Sequence, residues 1–377
     1  MRFYNPFVPL IAQAWFKNTH VFLCEQALEL LKSDGFPQAY RFYEPNAASL
    51  YRGATDPDVL GDPDSGAGIH YYCARRNPAG GRFRPKKPTA GYYKNRFGSF
   101  AKSAGTMLEE NYTAALSFFK SGKPERGAYF AGRAAHFLCD AGCTAHSAGI
   151  GYAAKATNPH FAYERYAEEH FEPFAGRVRG IGAACTVQED SCSPLPMANA
   201  LAEASSCFGA DVLSRDPARF ARVLEAGLPA AVRATARMLL KLYRASVRAE
   251  STDCVPDGVE FVLFGARNSC ALSLDADGDV VCATRQNRAE AMRLTAHLRA
   301  DGSYTLESEL AALSADFFGR LTAGGHPARF RFTARGAGIF RLSLSPRFKR
   351  VLQDYPVPHF VRFQPENDGQ NWKLGRI

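Results

Sequence analysis

The stretch from His136 to Glu164, HFLCDAGCTAHSAGIGYAAKATNPHFAYE, sets three histidines and two carboxylates among apolar and small residues. His136 and Asp140 are four positions apart, so a helix carries both on one face. His160 and Glu164 repeat the spacing, and His146 lies between the pairs beside Ser147, Ala148 and Gly149. One such pair reads as satisfied polar groups on packed helices. Two pairs and a bridging histidine within 29 residues point to imidazole and carboxylate ligands for zinc. Upstream, His20, Asp58 and His70 extend the set to eight side chains, which include five of the nine histidines. The remaining four, His170, His297, His326 and His359, show no such arrangement.

Helices are needed to hold these residues, and the pattern supplies them. Residues 20–32, HVFLCEQALELLK, read as an amphipathic helix with Thr19 as its cap and His20 in its first turn. Residues 51–72 read as turns from their Gly and Pro content, with Asp56, Asp62 and Asp64 taken as turn caps. Helical patterns then fill 100–120, 125–143, 160–171, 194–213 and 217–249, the last interrupted at Pro229, with a loop at 176–192. No strand pattern of any strength occurs in the first 250 residues.

The character changes after STDCVPDG. From Val259 onward short β-prone runs alternate with turns: FVLF, ALSL, DVVCAT, MRLTAHL, SYTLES, RFRFTAR, IFRLSLS, FVRF and NWKLGRI. MRLTAH at 292–297, FRFTAR at 330–335 and WKLGRI at 372–377 end similarly, spaced by 38 and then 42 residues. A repeat of that length with several strands favours a three-fold β-trefoil over a small β-sandwich. Gln370-Asn371-Trp372 resembles the Q-x-W signature of ricin-type lectin trefoils, though only the last repeat carries it. A carbohydrate or lipid ligand for this region is the corresponding expectation; the alternative is a structural or membrane-orienting appendage.

Length and composition agree with two domains. The chain has 377 residues, 46% hydrophobic and 22% charged, and no apolar run of bilayer-spanning length. Its formal charge of +9 favours anionic partners without choosing among phosphate groups, nucleic acid and acidic lipid surfaces. Residues 74–97 form a basic loop in which eight Lys or Arg are interleaved with Phe83, Tyr92, Tyr93 and Phe97. Such a run reads either as a phosphate-facing surface or as a solvated loop. The ten cysteines include no CxxC pair, which argues against a thiolate zinc finger; disulfides in an oxidising compartment are preferred over buried free thiols. Residues 1–14, MRFYNPFVPLIAQA, end in the A-x-A pattern Ala12-Gln13-Ala14, and read either as a short signal peptide or as an N-terminal arm.

Taken in order, NTH at 18–20, GATDPD at 53–58, HYY at 70–72, the H-x-x-x-D-x-x-x-x-x-H of 136–146 and HFAYE at 160–164 resemble the zinc-dependent phospholipase C family. That family includes phosphatidylcholine-hydrolysing phospholipase C and clostridial alpha-toxin. The resemblance covers roughly residues 15–250 and implies an all-α catalytic domain there, followed by the all-β region at 258–377. It also implies three zinc ions. Asp58, His70, His136 and Asp140 would hold one, and His146, His160 and Glu164 a second. His20 would hold the third, with Asp140 as a bridging carboxylate and the amino group and carbonyl of an N-terminal Trp. Trp15 stands five residues before His20, and cleavage after Ala14 would free its amine. The resemblance therefore implies a secreted, monomeric enzyme acting on phospholipid membranes, with Asp58 orienting or deprotonating the attacking water.

The chain departs from the family's usual pattern at Cys139 and Thr144, where Gly and Pro are common; both lie outside the ligand set. Related single-strand-specific zinc nucleases share the histidine helix and the Trp, and the Trp15-to-His20 spacing is closer to theirs. Their last pair usually ends in Asp within an HxxWD-like run, whereas here it ends in Glu164. GATDPD and the interval from His146 to His160 also favour phospholipase. Nucleic acid is a substrate only on the nuclease reading. A non-enzymatic lectin-like binding protein is a further alternative, which missing ligands would favour.

Overall fold

The helical half is built around α5 (Pro124–Gly142), which is buried on nearly every side from Gly127 to Gly142. Its small residues explain this. A Cβ placed on Gly132 would lie 1.9 Å from the Leu50 carbonyl oxygen, and one on Gly53 would lie 1.9 Å from that of Tyr129. Two glycines facing each other thus let α5 and α3 (Ala47–Thr55) touch backbone to backbone. Around them pack α1 (Lys17–Ser33), α2 (Pro37–Tyr43), α4 (Ala104–Lys120), α6 (Thr144–Ser147), α7 (Pro159–His170), α8 (Leu195–Ser206), α9 (Gly209–Ser214) and α10 (Pro217–Val247). This computed structural model describes residues 17–59, 61–65, 67–72, 93–94, 100–101, 103–152, 155, 157–178, 180–181, 193–248, 254–255, 257–267, 269–275, 279–283, 291–315, 320–336, 339–344, 350–353, 359–362 and 370–376. Trp15, nearly all of the basic loop at 74–97, and Cys73, Cys185 and Cys192 lie outside the described residues.

Several local expectations are corrected. Helix α1 begins at Lys17, so Thr19 is not its cap; the Thr19 hydroxyl and N–H both donate to Glu168 Oε2, at 2.8 and 3.1 Å. Helix α3 runs to Thr55, into the segment expected to be turns, and Asp56-Pro57-Asp58 continues it as a single 3₁₀ turn. Two short strands, β1 (Tyr93–Lys94) and β2 (Phe100–Ala101), pair before α4, which itself starts only at Ala104. Helix α10 continues through Pro229 for 31 residues. One missing N–H and the ring clash cost about 3 kcal/mol. Burial of Phe220, Val223, Leu224, Leu228, Val232, Met238, Leu239 and Leu242 outweighs that cost. No disulfide of the kind expected forms among the described residues, and Cys24, Cys139 and Cys143 are buried free thiols in the helical core.

The second half is all strands: β3 (Glu260–Gly265), β4 (Ala271–Leu274), β5 (Val280–Ala283), β6 (Leu294–Leu298), β7 (Tyr304–Ser308), β8 (Leu313–Ala315), β9 (Leu321–Ala323), β10 (Phe330–Gly336), β11 (Ile339–Leu344), β12 (Arg350–Gln353), β13 (His359–Arg362) and β14 (Trp372–Arg376). Neighbours pair antiparallel in the order β3, β6, β7, β10, β11, and β14 bonds to both β11 and β3, so six strands close into a ring. The three similar segments of the sequence are β6, β10 and β14, alternate members of that ring. Between them stand three hairpins, β4–β5, β8–β9 and β12–β13. Trp372 is fully buried in the core of this half, its indole N–H donating to the Leu352 carbonyl at 3.0 Å.

The halves are joined by charge as well as by chain. Arg331 on β10 pairs with Glu110 on α4 at 3.0 Å, Arg335 pairs with Glu109 at 2.7 Å, and the Ala334 N–H donates to Thr113 at 3.1 Å. No helix among the described residues is long and apolar enough to cross a membrane.

Candidate metal centre

Six elements of the helical half carry the residues expected as ligands from the sequence. Helix α1 carries His20, the 3₁₀ turn after α3 carries Asp58, and a second 3₁₀ turn, Ala67–His70, carries His70. Helix α5 presents His136 and Asp140 one turn apart. Helix α6 carries His146, and α7 presents His160 and Glu164 one turn apart. Asn158 starts α7 at the right residue: its side-chain oxygen accepts from the N–H groups of His160 and Phe161, with Pro159 at the first helical position. All eight side chains are at most 1% exposed.

The geometry gathers them into two adjoining clusters. In the first, His70 Nδ1 is 2.9 Å from Asp140 Oδ2 and 3.1 Å from His136 Nε2, and His136 Nε2 is 3.3 Å from Asp140 Oδ2. Asp58 Oδ1 stands 4.0 Å from His70 and 3.8 Å from His136. Four ligands at about 2.0–2.1 Å from a tetrahedral zinc are roughly 3.3 Å from one another, so this set fits with small side-chain rotations. Each carboxylate then turns its other oxygen toward His20, whose Nε2 is 3.7 Å from Asp140 Oδ1 and 3.8 Å from Asp58 Oδ2. Asp140 and Asp58 thus both lie between His20 and the His70–His136 pair. In the second cluster Glu164 Oε1 is 3.1 Å from His146 Nε2 and 2.8 Å from His160 Nε2. The two clusters touch: the rings of His70 and His146 are 6.3 Å apart.

Hydrogen bonds outside the clusters orient the rings. A carbonyl can only accept, so His136 Nδ1, 2.8 Å from the Ala54 oxygen, carries the proton and leaves Nε2 with its lone pair toward the cluster. The Ile150 carbonyl does the same for His160 Nδ1 at 2.6 Å, and also accepts from Tyr71 at 3.0 Å. The segment holding Asp58 and His70 is clamped to α5 by Arg133, one turn before His136. Its guanidinium donates twice to Asp62, at 2.8 Å each, and once to Asp64 at 2.6 Å. Asp56 accepts from Tyr129 at 2.8 Å. Asp62 does cap its turn, accepting from the Asp64 N–H at 2.8 Å, so the turn role expected of these aspartates is real but incomplete. Cys139 and Thr144 face Thr235 and Ser205 respectively and stay out of both clusters.

Electrostatics favour a cation in this place. Burial holds His20 and His146 well short of protonation, their pKa values lying below the ordinary 6.5. Burial alone would raise the Asp140 carboxyl, but the charges and hydrogen bonds of His136 and His70 hold it well below its usual range. The same contest at Glu164 is won by His160 and His146. Three carboxylates therefore share a buried space with two histidines, His20 and His146, that prefer to be neutral. Both His20 ring nitrogens, His70 Nε2, Asp140 Oδ1, His146 Nδ1 and Glu164 Oε2 are buried without a hydrogen-bond partner. Leaving so many polar atoms unsatisfied is costly. A soft-to-borderline divalent ion satisfies that combination of imidazole and carboxylate, and zinc is the ordinary choice.

Sequence reasoning did not identify Ala54, Ile150, Tyr71 and Arg133 as positioning groups. The first two act through backbone carbonyls, which carry no residue-type signal.

Comparison with known proteins agrees with this geometry. Residues 19–188 match the family model described as zinc dependent phospholipase C. The resemblance read from the five motifs is therefore shown, over the segment that contains every described ligand. Among solved structures, the alpha toxin from Clostridium absonum is similar at 14% identity, with 94% of this chain and 97% of that chain covered and a TM-score of 0.52. The alpha-toxin of an avian Clostridium perfringens strain is 12% identical, with 97% and 100% covered and a TM-score of 0.48. A ricin B-like lectin of Macrolepiota procera aligns with 33% of this chain and 99% of its own at 16% identity and a TM-score of 0.28. The first likeness speaks to the fold; the other two are too loose in shape to carry an argument. No curated protein matches the sequence.

Proposed function

We propose that the chain is a zinc-dependent phospholipase C, which hydrolyses phospholipids to diacylglycerol and a phosphorylated head group. The observation that carries this reading is the convergence of His20, Asp58, His70, His136, Asp140, His146, His160 and Glu164 as buried donors, with unsatisfied atoms on His20, His70, Asp140, His146 and Glu164. The family match over residues 19–188 supplies the substrate class. Zinc bound there would supply Lewis acidity toward a phosphate oxygen and acidify water near neutral pH. Asp58, His70, His136 and Asp140 would hold one ion, His146, His160 and Glu164 a second, and His20 with Asp140 a third.

The protein's own groups carry the rest. Asp58 sits between the His20 side and the His70–His136 side, where a carboxylate can take the proton of the attacking water. His136 and His160 are locked in one tautomer by Ala54 and Ile150, so neither has to reorient during turnover. Water adds across the phosphorus–oxygen bond on the glycerol side, and the leaving alkoxide takes a proton.

Residues 15–250 form the catalytic domain on this reading, and 258–377 an appended trefoil of the lectin-like kind, presenting a carbohydrate or lipid ligand site. The six-strand ring, the three hairpins and the alternation of β6, β10 and β14 support the trefoil. Removal of residues 1–14 would accompany secretion and free the Trp15 amine for the third ion; N-terminal sequencing of the mature protein checks it. Zinc-loaded protein, expected to act as a monomer, is assayed on phosphatidylcholine vesicles and single-stranded DNA side by side. Release of phosphorylated head group is the expected result, and DNA cleavage without it would replace this reading by the nuclease one. His136→Ala should lose both zinc and activity; an active, zinc-loaded variant refutes the assignment.

A further inference from the structure

We infer that Cys143 is a ligand of the second metal. The inference rests on the reading that His146, His160 and Glu164 hold an ion, and adds a fourth protein donor to that set. Cys143 joins the end of α5 to the start of α6, three residues after Asp140 and three before His146, and is fully buried. Its sulfur and one donor atom from each of His146 and Glu164 all lie within 4.8 Å of one another. Zinc bonds of about 2.3 Å to sulfur and 2.0 Å to nitrogen or oxygen place such donors roughly 3.5 Å apart, and His160 Nε2, 2.8 Å from Glu164 Oε1, joins these three through that carboxylate.

Two further observations separate Cys143 from an ordinary buried thiol. Glu164 Oε2 is buried without a hydrogen-bond partner, while His146 Nε2 and His160 Nε2 both crowd onto Glu164 Oε1. The carboxylate thus keeps one oxygen that hydrogen bonds do not satisfy. The neighbouring Cys139, equally buried and adjacent to Asp140 in sequence, instead has its sulfur against the Thr235 hydroxyl at 3.5 Å.

A set of one thiolate, two imidazoles and one carboxylate is a closed tetrahedral site, of the kind that leaves no position for water. The second ion then braces α6 against α7 and takes no part in activating water or holding phosphate. On binding, the S–H bond breaks, a sulfur–metal bond forms, and the proton leaves to solvent.

The test uses the full chain loaded with cobalt(II). A thiolate-to-cobalt charge-transfer absorption is expected in the near ultraviolet, unchanged in Cys139→Ser and lost in Cys143→Ala. Zinc affinity at that site should fall about 10–100-fold in Cys143→Ala. X-ray absorption at the zinc edge of the unsubstituted protein should show a sulfur shell at about 2.3 Å, averaging one sulfur over all the zinc ions bound, which keeps the test decisive if the variant does not fold. Bound metal with no sulfur in its shell, or an absorption that survives Cys143→Ala, overturns the inference and leaves the phospholipase reading standing. Failure to bind any metal overturns both.

Discussion

Gly132→Ala is the most revealing single substitution, because two opposing effects of known size meet at one atom. An alanine in a helix interior gains about 1 kcal/mol over glycine. Here the new Cβ would stand 1.9 Å from the Leu50 oxygen, 2.9 Å from the Leu50 carbonyl carbon and 2.9 Å from the Ala54 nitrogen. All three are backbone atoms, so no side chain can swing aside. Moving the nearest contact to about 3.5 Å requires α3 and α5 to part by roughly 1.6 Å. Overpacking of this kind costs about 1–3 kcal/mol and sometimes more, and the upper end applies where backbone is struck. The same shift would stretch the 2.8 Å bond from His136 Nδ1 to the Ala54 carbonyl, past the limit of about 3.5 Å for a useful hydrogen bond, at a further cost of about 1 kcal/mol. The clash therefore outweighs the propensity gain by about 2 kcal/mol or more. The His136 tautomer is freed as well, and zinc affinity should drop about 10–100-fold. Urea denaturation of the metal-free protein, with zinc competition against a coloured chelator, measures both. An unchanged midpoint together with unchanged zinc affinity would refute the glycine contact as the device that sets the centre.

Arg133→Met removes the clamp on the Asp58–His70 segment and leaves Asp62 and Asp64, whose side chains are 11% and 8% exposed, without their cation. Breaking a buried pair in this way costs about 3–5 kcal/mol, to be read by denaturation; a loss under a tenth of that would show the clamp to be ornamental. The metal-free protein should also lose stability as pH falls. His20 and His146 have folded pKa values below the ordinary 6.5, so their contribution is present above that pH and is lost on acidification. Asp140 and Glu164, held below 3.8 and 4.5, add a second loss in stronger acid. A midpoint that rises between neutrality and mild acid in the presence of chelator would contradict this sign. Arg331→Met leaves Glu110 buried in the contact between the halves, so calorimetry should resolve two transitions where the unsubstituted protein shows closer coupling; an unchanged trace would mean the contact adds nothing.

What the sequence disclosed is set by the reach of its periodicities. His136 with Asp140, and His160 with Glu164, are legible because one helical turn is a local rule. His20, Asp58 and His70 are legible only through the resemblance, since nothing local says that residue 58 meets residue 136. The Arg133 clamp spans 71 residues to Asp62, and side chains that far apart announce no partnership. Segment 51–55 reads as turn because the Gly- and Pro-rich residues 56–68 come directly after it, yet tertiary contact at Gly53 makes it helix. The even cysteine count suggested pairing, whereas Cys24 and Cys139 are simply small enough for a crowded helical core, and Cys143 stands beside His146 and Glu164. In the strand half, the three similar endings mapped onto β6, β10 and β14, while β8 and β9 escaped notice because runs of three residues carry too little alternation, and the four-residue β12 was missed as well.

Charge then decides what the centre can receive. Asp58, Asp140 and Glu164 bring three carboxylates into a buried space, where His136 and His70 stabilise the charge of Asp140 and His160 and His146 that of Glu164, while His20 and His146 themselves resist protonation. An ion bound by the folded set and not by the unfolded chain adds its binding free energy to folding, so metal removal should lower stability as well as activity. Two divalent ions already exceed the three carboxylates, and a thiolate from Cys143 would bring such a pair back to balance. A third ion, at His20 between Asp58 and Asp140, would restore the excess at the very carboxylates proposed to handle water. An excess of positive charge inside a low-dielectric space attracts a phosphodiester far more strongly than the chain's overall charge of +9 can from its surface. Occupancy at His20 should therefore govern affinity for the phosphate, while the Cys143 side governs how firmly the helices hold. His20→Ala is expected to raise KM with the other ions retained, as counted by elemental analysis; a variant with unchanged KM would place the phosphate elsewhere.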